Sequence, residues 1–332
     1  MKTGKIRLAA FLALIAVSMT GCNQNPPRQI EKIVVGAETV AHASPLWIAE
    51  NKGYFKDEGL NVEIQGFESG RTALRTMLKG EGIDVATAAQ TPVISNSFSR
   101  NDYAIIGAML YSDNDVKMLA RRDKGINALS DLKGKTVGVT SGSSGHFFLG
   151  LFLAYHGLRM NDVKTVDIEA TRLPQALRDG QVDAIATWEP HIYKARKALG
   201  DKALVLPSAG IYREDFYFIA RKAFIKQHPE TLTRFLRAIE KGEDFISKSK
   251  KEAMDIVGQR LKIDQDIMKA TWDDFHFKLF LDQPMLVSLE DEARWAMENR
   301  LTDATKVPNY LDYLYSDALK TVRPDAVTIA GK

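Results

Sequence analysis

From Ile33 onward the chain alternates short β-branched runs with amphipathic stretches, and glycines mark most of the joints between them. That rhythm predicts βαβ units around mostly parallel sheets, an α/β protein. Ile33–Ala37 is expected as a first strand, the stretch through Leu46, Ile48, Ala49 and Tyr54 as a helix, and Val62–Gly66 as a second strand. Ala73–Lys79 then reads as a helix and Ile83–Ala86 as a third strand.

The same order returns about a hundred residues later. Val35-Gly36 corresponds to Val137-Gly138, Val62-Glu63-Ile64 to Val166-Asp167-Ile168, and Ala73-Leu74 to Ala176-Leu177. The segment Gly80 to Thr87 matches Gly180 to Thr187: in each a helix-ending glycine precedes a strand that opens hydrophobic-Asp-hydrophobic. Two lobes of one architecture are therefore expected. Tyr103–Met109 and Val116–Arg121 read as strands, and Tyr111-Ser112-Asp113-Asn114 between them is a natural crossing from one lobe to the other. Asp215–Ala220 reads as the return strand, and Pro229–Leu261 and Leu289–Arg300 as helices. The expected organisation is a first lobe over 30–112, a second over 113–221, and a helical region over 222–332 packed on the first, because a hinge needs two neighbouring crossings.

The first residues change the picture of where the chain works. Lys2, Lys5 and Arg7 precede an apolar run, Leu8–Val17, too short to span a bilayer, so 1–21 reads as an export signal. Met19-Thr20-Gly21-Cys22 resembles a lipoprotein cleavage box, with Met19 where such boxes usually carry Leu, and the polar stretch 22–29 reads as a linker. Cys22 is the only cysteine, so it has no disulfide partner and is expected to carry a lipid. Removing the signal takes three of the 45 Lys+Arg and leaves 42 against 42 Asp+Glu. A mature chain near neutrality implies no nucleic-acid partner.

Ligands of α/β sheets sit beyond the C-terminal ends of parallel strands, which singles out six loops. They are Glu38–Ser44, Phe67–Gly70 and Ala88–Thr91 in the first lobe, and Thr140–Gly145, Glu169–Arg172 and Trp188-Glu189-Pro190 in the second. The candidate ligand-binding side chains are His42, Ser44, Glu68, Ser69, Gln90 and Thr91 on one side, Ser141, Ser143, Ser144, His146, Trp188 and Glu189 on the other, with Tyr217 from the return strand. Thr140–His146 carries the most specific signal, a strand ending in a Ser/Gly turn that opens an apolar helix. Unpaired first-turn amides and serine hydroxyls suit an oxyanion, while N-capping by Ser143 or Ser144 is the structural alternative. Trp188 suits either a pocket wall or core packing, and Glu189 either helix capping or acceptance from an amino group.

Enzyme-like patterns fail on context. Gly134-Lys135-Thr136 runs into a strand instead of a helix, and Gly142-Ser143-Ser144-Gly145 lacks nucleophile-elbow spacing. The six histidines are scattered without metal-ligand spacing, so neither a metal nor a cofactor is implied.

Three segments carry a family resemblance: Ser44 through Leu60 (SPLWIAENKGYFKDEGL), Asp131 through Val139 (DLKGKTVGV) and Leu177 through Ala184 (LRDGQVDA). In these the chain resembles the ABC-transporter substrate-binding proteins of the nitrate/sulfonate/taurine group and related binders of thiamine-pyrimidine-type compounds. The resemblance spans nearly the whole mature chain. It implies a two-lobed periplasmic-binding-protein type II fold that catalyses nothing. It also implies a small solute held between the lobes and delivery to permease and ATPase subunits; with the Cys22 box, a monomer lipid-anchored to the cell membrane and facing the periplasm or the cell exterior is expected. An enzyme on the same fold and a lipid-anchored sensory module are the other two readings.

Overall fold

The computed structural model describes residues 30–330. The expected signal 1–21, the lipidated Cys22 and the linker lie outside the described residues. Among the described residues eleven strands form two sheets: β1 (Glu31–Glu38), β2 (Leu60–Phe67), β3 (Val85–Ala89), β4 (Tyr103–Ser112), β5 (Lys117–Arg121), β6 (Thr136–Val139), β7 (Lys164–Asp167), β8 (Ala184–Thr187), β9 (Ala203–Leu206), β10 (Glu214–Arg221) and β11 (His276–Phe280). The first sheet runs β11-β4-β10-β3-β1-β2 and the second β7-β6-β8-β5-β9. Each holds a parallel trio, β2-β1-β3 or β7-β6-β8, with an antiparallel strand beside the third member, β10 or β5.

The repeat is visible in the register. Val35 pairs with Val85 in the first sheet as Val137 pairs with Ala184 in the second. The aspartate of each hydrophobic-Asp-hydrophobic motif ties the third strand to the first. Asp84 accepts from Val34 N at 2.8 Å, and Asp183 from Thr136 N at 2.9 Å. The second strands align differently from the sequence match. Val35 faces Ile64 and Val137 faces Thr165, so Ile64 corresponds to Thr165 and the match to Ile168 is three residues out of step. β7 is an exposed edge strand, so burial does not impose a hydrophobic pattern that fixes its register in the sequence.

The chain crosses between sheets at Asp113–Val116, leaving β4 for β5, and again after β9, before β10. Residues 214–221, grouped by the sequence with the second lobe, hydrogen-bond in the first sheet between β3 and β4. The return therefore precedes this strand. Its burial along nearly its whole length supplies the reason: a central strand must sit where both faces are covered.

The apolar faces of the C-terminal helices complete the first lobe's core. Phe235, Leu236 and Ile239 of the helix Pro229–Lys248 join one buried cluster with Trp47, Ile48 and the β1, β3 and β10 side chains. The helix expected over Pro229–Leu261 is two, broken at Ser249, whose φ of −139° is not helical. The last long helix is Gln283–Glu298, started by Asp282, whose side chain accepts from Met285 N. Separate apolar clusters cover the two faces of the second sheet. Among the described residues no helix is long and apolar enough to cross a membrane.

Candidate functional site

A cavity of about 510 Å³ opens between the two sheets, and all six strand-end loops contribute to its lining. Glu38 ends β1, and the short 3₁₀ turn Ala41–Ala43 carries His42 to the floor. Glu68 and Ser69 follow β2. Ser69 caps the helix Gly70–Lys79 by accepting from Thr72 N, and Gly70 fits because a Cβ there would lie 2.8 Å from the Ala88 backbone. Thr91 lies in the first turn of the helix after β3. From the other side come Thr140, Ser143 and Ser144 after β6, Glu169–Arg172 after β7, and Trp188 after β8.

Of the side chains singled out in the sequence, His42, Glu68, Ser69, Thr91, Ser143, Ser144 and Trp188 line this space. The other six do not. Ser44 donates to Ala41 O inside its helix start, Ser141 is exposed, and Tyr217 is fully buried within β10. Gln90 is spent beneath the floor, donating to Glu292 Oε2 at 2.7 Å and accepting from Asp215 N. His146 accepts from Gly142 N through Nδ1 and packs edge-on against Trp295, with burial lowering its pKa. Glu189 takes the capping role. Its carboxylate accepts from Tyr193 N at 2.8 Å and from Lys117 Nζ at 3.1 Å.

At the Ser/Gly turn, Ser143 occupies the N-cap position of the helix Ser144–Tyr155, yet its side chain does not cap it and donates instead to Thr140 O at 2.7 Å. That leaves first-turn amides without a side-chain acceptor beside the cavity. Gly145 lets this helix approach β8, since a Cβ there would lie 2.7 Å from Ala186 O. Arg71 and Arg172, both exposed, stand at the rim, and Arg71 reaches across the cleft to donate to Gly142 O at 3.0 Å.

The floor comes from the hinge and was missed in the sequence. Asp115 precedes β5, Glu214 opens β10 and Phe216 follows it. Both crossings place these residues at the cleft base, so a search of the residues flanking each crossing would have found them. His42 lies between Phe216, stacked at 4.4 Å, and Phe275, edge-on at 4.7 Å, with Nε2 3.4 Å from Asp115 Oδ1. Burial opposes a charge on His42, but Asp115, Glu38 and Glu189 hold its pKa above the ordinary value. Burial pushes Glu38 up, against His42 and the Gly70 N–H. Burial also holds Glu214 well above the carboxylate range, with Asp115, Glu292 and Glu38 adding like charge. His191, also on the lining, is pushed down to about 4 by burial and Lys194, so it stays neutral at pH 7. Lys117 is committed elsewhere, bridging Glu189 and, at 2.7 Å, Asp274.

Known proteins are similar to this chain in architecture and in sequence. The periplasmic aliphatic sulphonate-binding protein of Escherichia coli superposes with a TM-score of 0.73 at 18% identity, covering 86% of this chain and 97% of that one. An aliphatic sulfonates-binding protein, so named, of Bacillus subtilis (strain 168) is 30% identical over 278 residues, 81% of each chain. A 4-amino-5-hydroxymethyl-2-methylpyrimidine phosphate synthase of Aspergillus parasiticus is 26% identical over 223 residues, 63% of this chain and 64% of that one. With residues 41–253 matching one family pattern, a stretch that carries most of the first lobe's loops, both crossings and all of the second sheet, the chain belongs to the NMT1/THI5-like family.

Proposed function

We propose that this chain is the extracytoplasmic solute-binding component of an ABC importer, taking a small polar solute of the sulfonate, taurine or nitrate type between its lobes. The observation that carries this reading is the cavity at the junction of two sheets, lined by loops from both and floored by the strands that cross between them. A solute there satisfies polar groups of both lobes only when the lobes close on it, which couples binding to a change of shape that a permease can read. The sulfonate-binding names of the relatives support the solute class, and the uncapped first turn at Ser144 offers it donors. We divide the lobes as 30–112 with 214–330, and 113–213, a division that the strand order supports. We assign no catalysis, a monomer, and a lipid on Cys22 as the membrane tether. The aromatic wall at Trp188 favours a second solute class, a pyrimidine-like heterocycle, for the same importer role.

A thermal-shift screen of residues 23–332 tests the role. A solute that binds only the folded state at about 100 times its Kd adds about 2.7 kcal/mol of stability. A strong shift with one solute, unchanged on recovery, supports the reading. Chemical turnover of that solute overturns it in favour of an enzyme.

A further inference from the structure

Three carboxylates converge on the cavity floor from three different segments: Glu38 from the end of β1, Asp115 from the first crossing and Glu214 from the start of β10. Asp115 and Glu214 are 1% and 2% exposed, a depth at which an ionised carboxylate needs a partner. Asp115 Oδ2 and Glu214 Oε2 have no hydrogen-bond partner, and neither has His42 Nδ1. The neighbouring cations do not supply one. Lys117 is held by Glu189 and Asp274, His42 faces a single oxygen of Asp115, and Arg71 and Arg172 stand at the exposed rim. Two aromatic side chains, Phe216 and Trp188, complete the walls, and ring faces attract cationic nitrogen.

We propose that this floor receives a positively charged or hydrogen-donating nitrogen of the solute, so that the solute of this importer is aminated, and an oxyanion lacking such a nitrogen is not its ligand. The inference rests on the solute-binding reading above and narrows it. The nitrogen donates to Asp115 Oδ2 and Glu214 Oε2, the two acceptors left open, and its positive charge favours the ionised forms of Glu214 and Glu38 that burial alone disfavours. The amides of the Ser144 turn and the rim arginines then face the other end of the molecule, where an acidic group fits. The floor thus selects among solutes that the upper part of the cavity treats alike.

Matched pairs separate the two readings: taurine against ethanesulfonate, β-alanine against propionate, and aminopyrimidine against pyrimidine, with nitrate alongside, each measured by calorimetry on residues 23–332. In any pair that binds, the aminated member is expected to bind at least about ten-fold more tightly. Glu214→Gln and Glu38→Gln are each expected to weaken that member by about ten-fold or more, with the solute-free Tm near wild type. Two variants are used so that one that fails to fold leaves the other. Ethanesulfonate, propionate or nitrate binding as tightly as the aminated solutes overturns this inference and leaves the solute-binding reading intact. An absence of binding across the whole panel overturns both.

Discussion

Asp84 and Asp183 do one task twice. Each stands just before the third strand of its parallel trio and accepts from a backbone N–H of the first, while its own N–H donates back, to Val34 O or Thr136 O. Replacing either with alanine strands a partly buried donor, so Asp84→Ala and Asp183→Ala are each expected to cost about 1–3 kcal/mol, read as a lower denaturant midpoint at unchanged slope. Glu292 lies beneath the floor, bonded by Gln90 and Thr91, with Tyr212 and Glu214 nearby, and burial pushes it up to about 7. Burial does the same to Asp215, against the pull of Arg213. Both bind a proton more tightly folded than unfolded, so their cost is absent near their ordinary values and complete above about 7. Stability is expected to fall as pH rises from about 4 to about 7 and to level off above that, and a Tm series on Glu292→Gln should show a shallower slope. At this scale the sequence was informative where a residue sits on a strand-end loop, as His42, Ser69 and Ser143 do. It was silent where function depends on a distant partner. Nothing near Gln90 announces Glu292, 202 residues away, and nothing near Asp115 announces Glu214.

The helix Gln283–Glu298 shows what one element does for the site. Its Glu292 holds Gln90 and Thr91 in the first lobe, while three residues on its Trp295 packs against His146 and Phe147 of the second. Gly150 makes room for that ring, since a Cβ there would lie 2.5 Å from Trp295 Nε1. Trp295→Ala is expected to cost about 1–3 kcal/mol, less than a fully buried tryptophan. Gly150→Ala should destabilise the wild type by about 1–3 kcal/mol yet cost much less beside Trp295→Ala, a coupling that a double-mutant cycle in urea measures. An uncoupled pair would place the ring elsewhere. The periodicity of this helix was legible from Leu289 onward, but not its contact across the lobes, because amphipathic spacing marks a buried face without naming what covers it. β9 and β11 are short edge strands left partly exposed over most of their length, so the sequence carries no run of buried positions to mark them.

At the scale of the whole molecule, the solute-binding reading makes the contacts across the cleft the ones that balance open against closed forms. Asp274, from the C-terminal region, accepts from Lys117 and from Asn114 at 2.7 Å, clamping the first crossing. Opposite it, at the mouth, stands the Arg71 to Gly142 bond. Such an exposed bond is worth about 0.5–1 kcal/mol, so Arg71→Ala is expected to raise the solute's dissociation rate by about two- to five-fold with little change in association, as stopped-flow would read it. The two-lobed plan itself was legible, because a repeated βαβ order survives even where one of its strands is out of step. The return crossing was placed too late, since a run such as Asp215–Ala220 reads equally well as the last strand of one lobe or the central strand of the other.

Because the second sheet uses only residues 117–206 while the first gathers strands from residue 31 to residue 280, the molecule is a guest enclosed within a host. The guest closes over short sequence separations and the host must wait for its own far end, and long loops are slow to close. In a refolding experiment the guest's amides, those of β5 to β9, are therefore expected to gain protection from hydrogen exchange before those of β1, β3 and β10. Simultaneous protection would show that the two bodies assemble as one. An order of this kind makes the guest a ready-made surface against which the split host knits its halves, so the cleft is built from its outer wall inward.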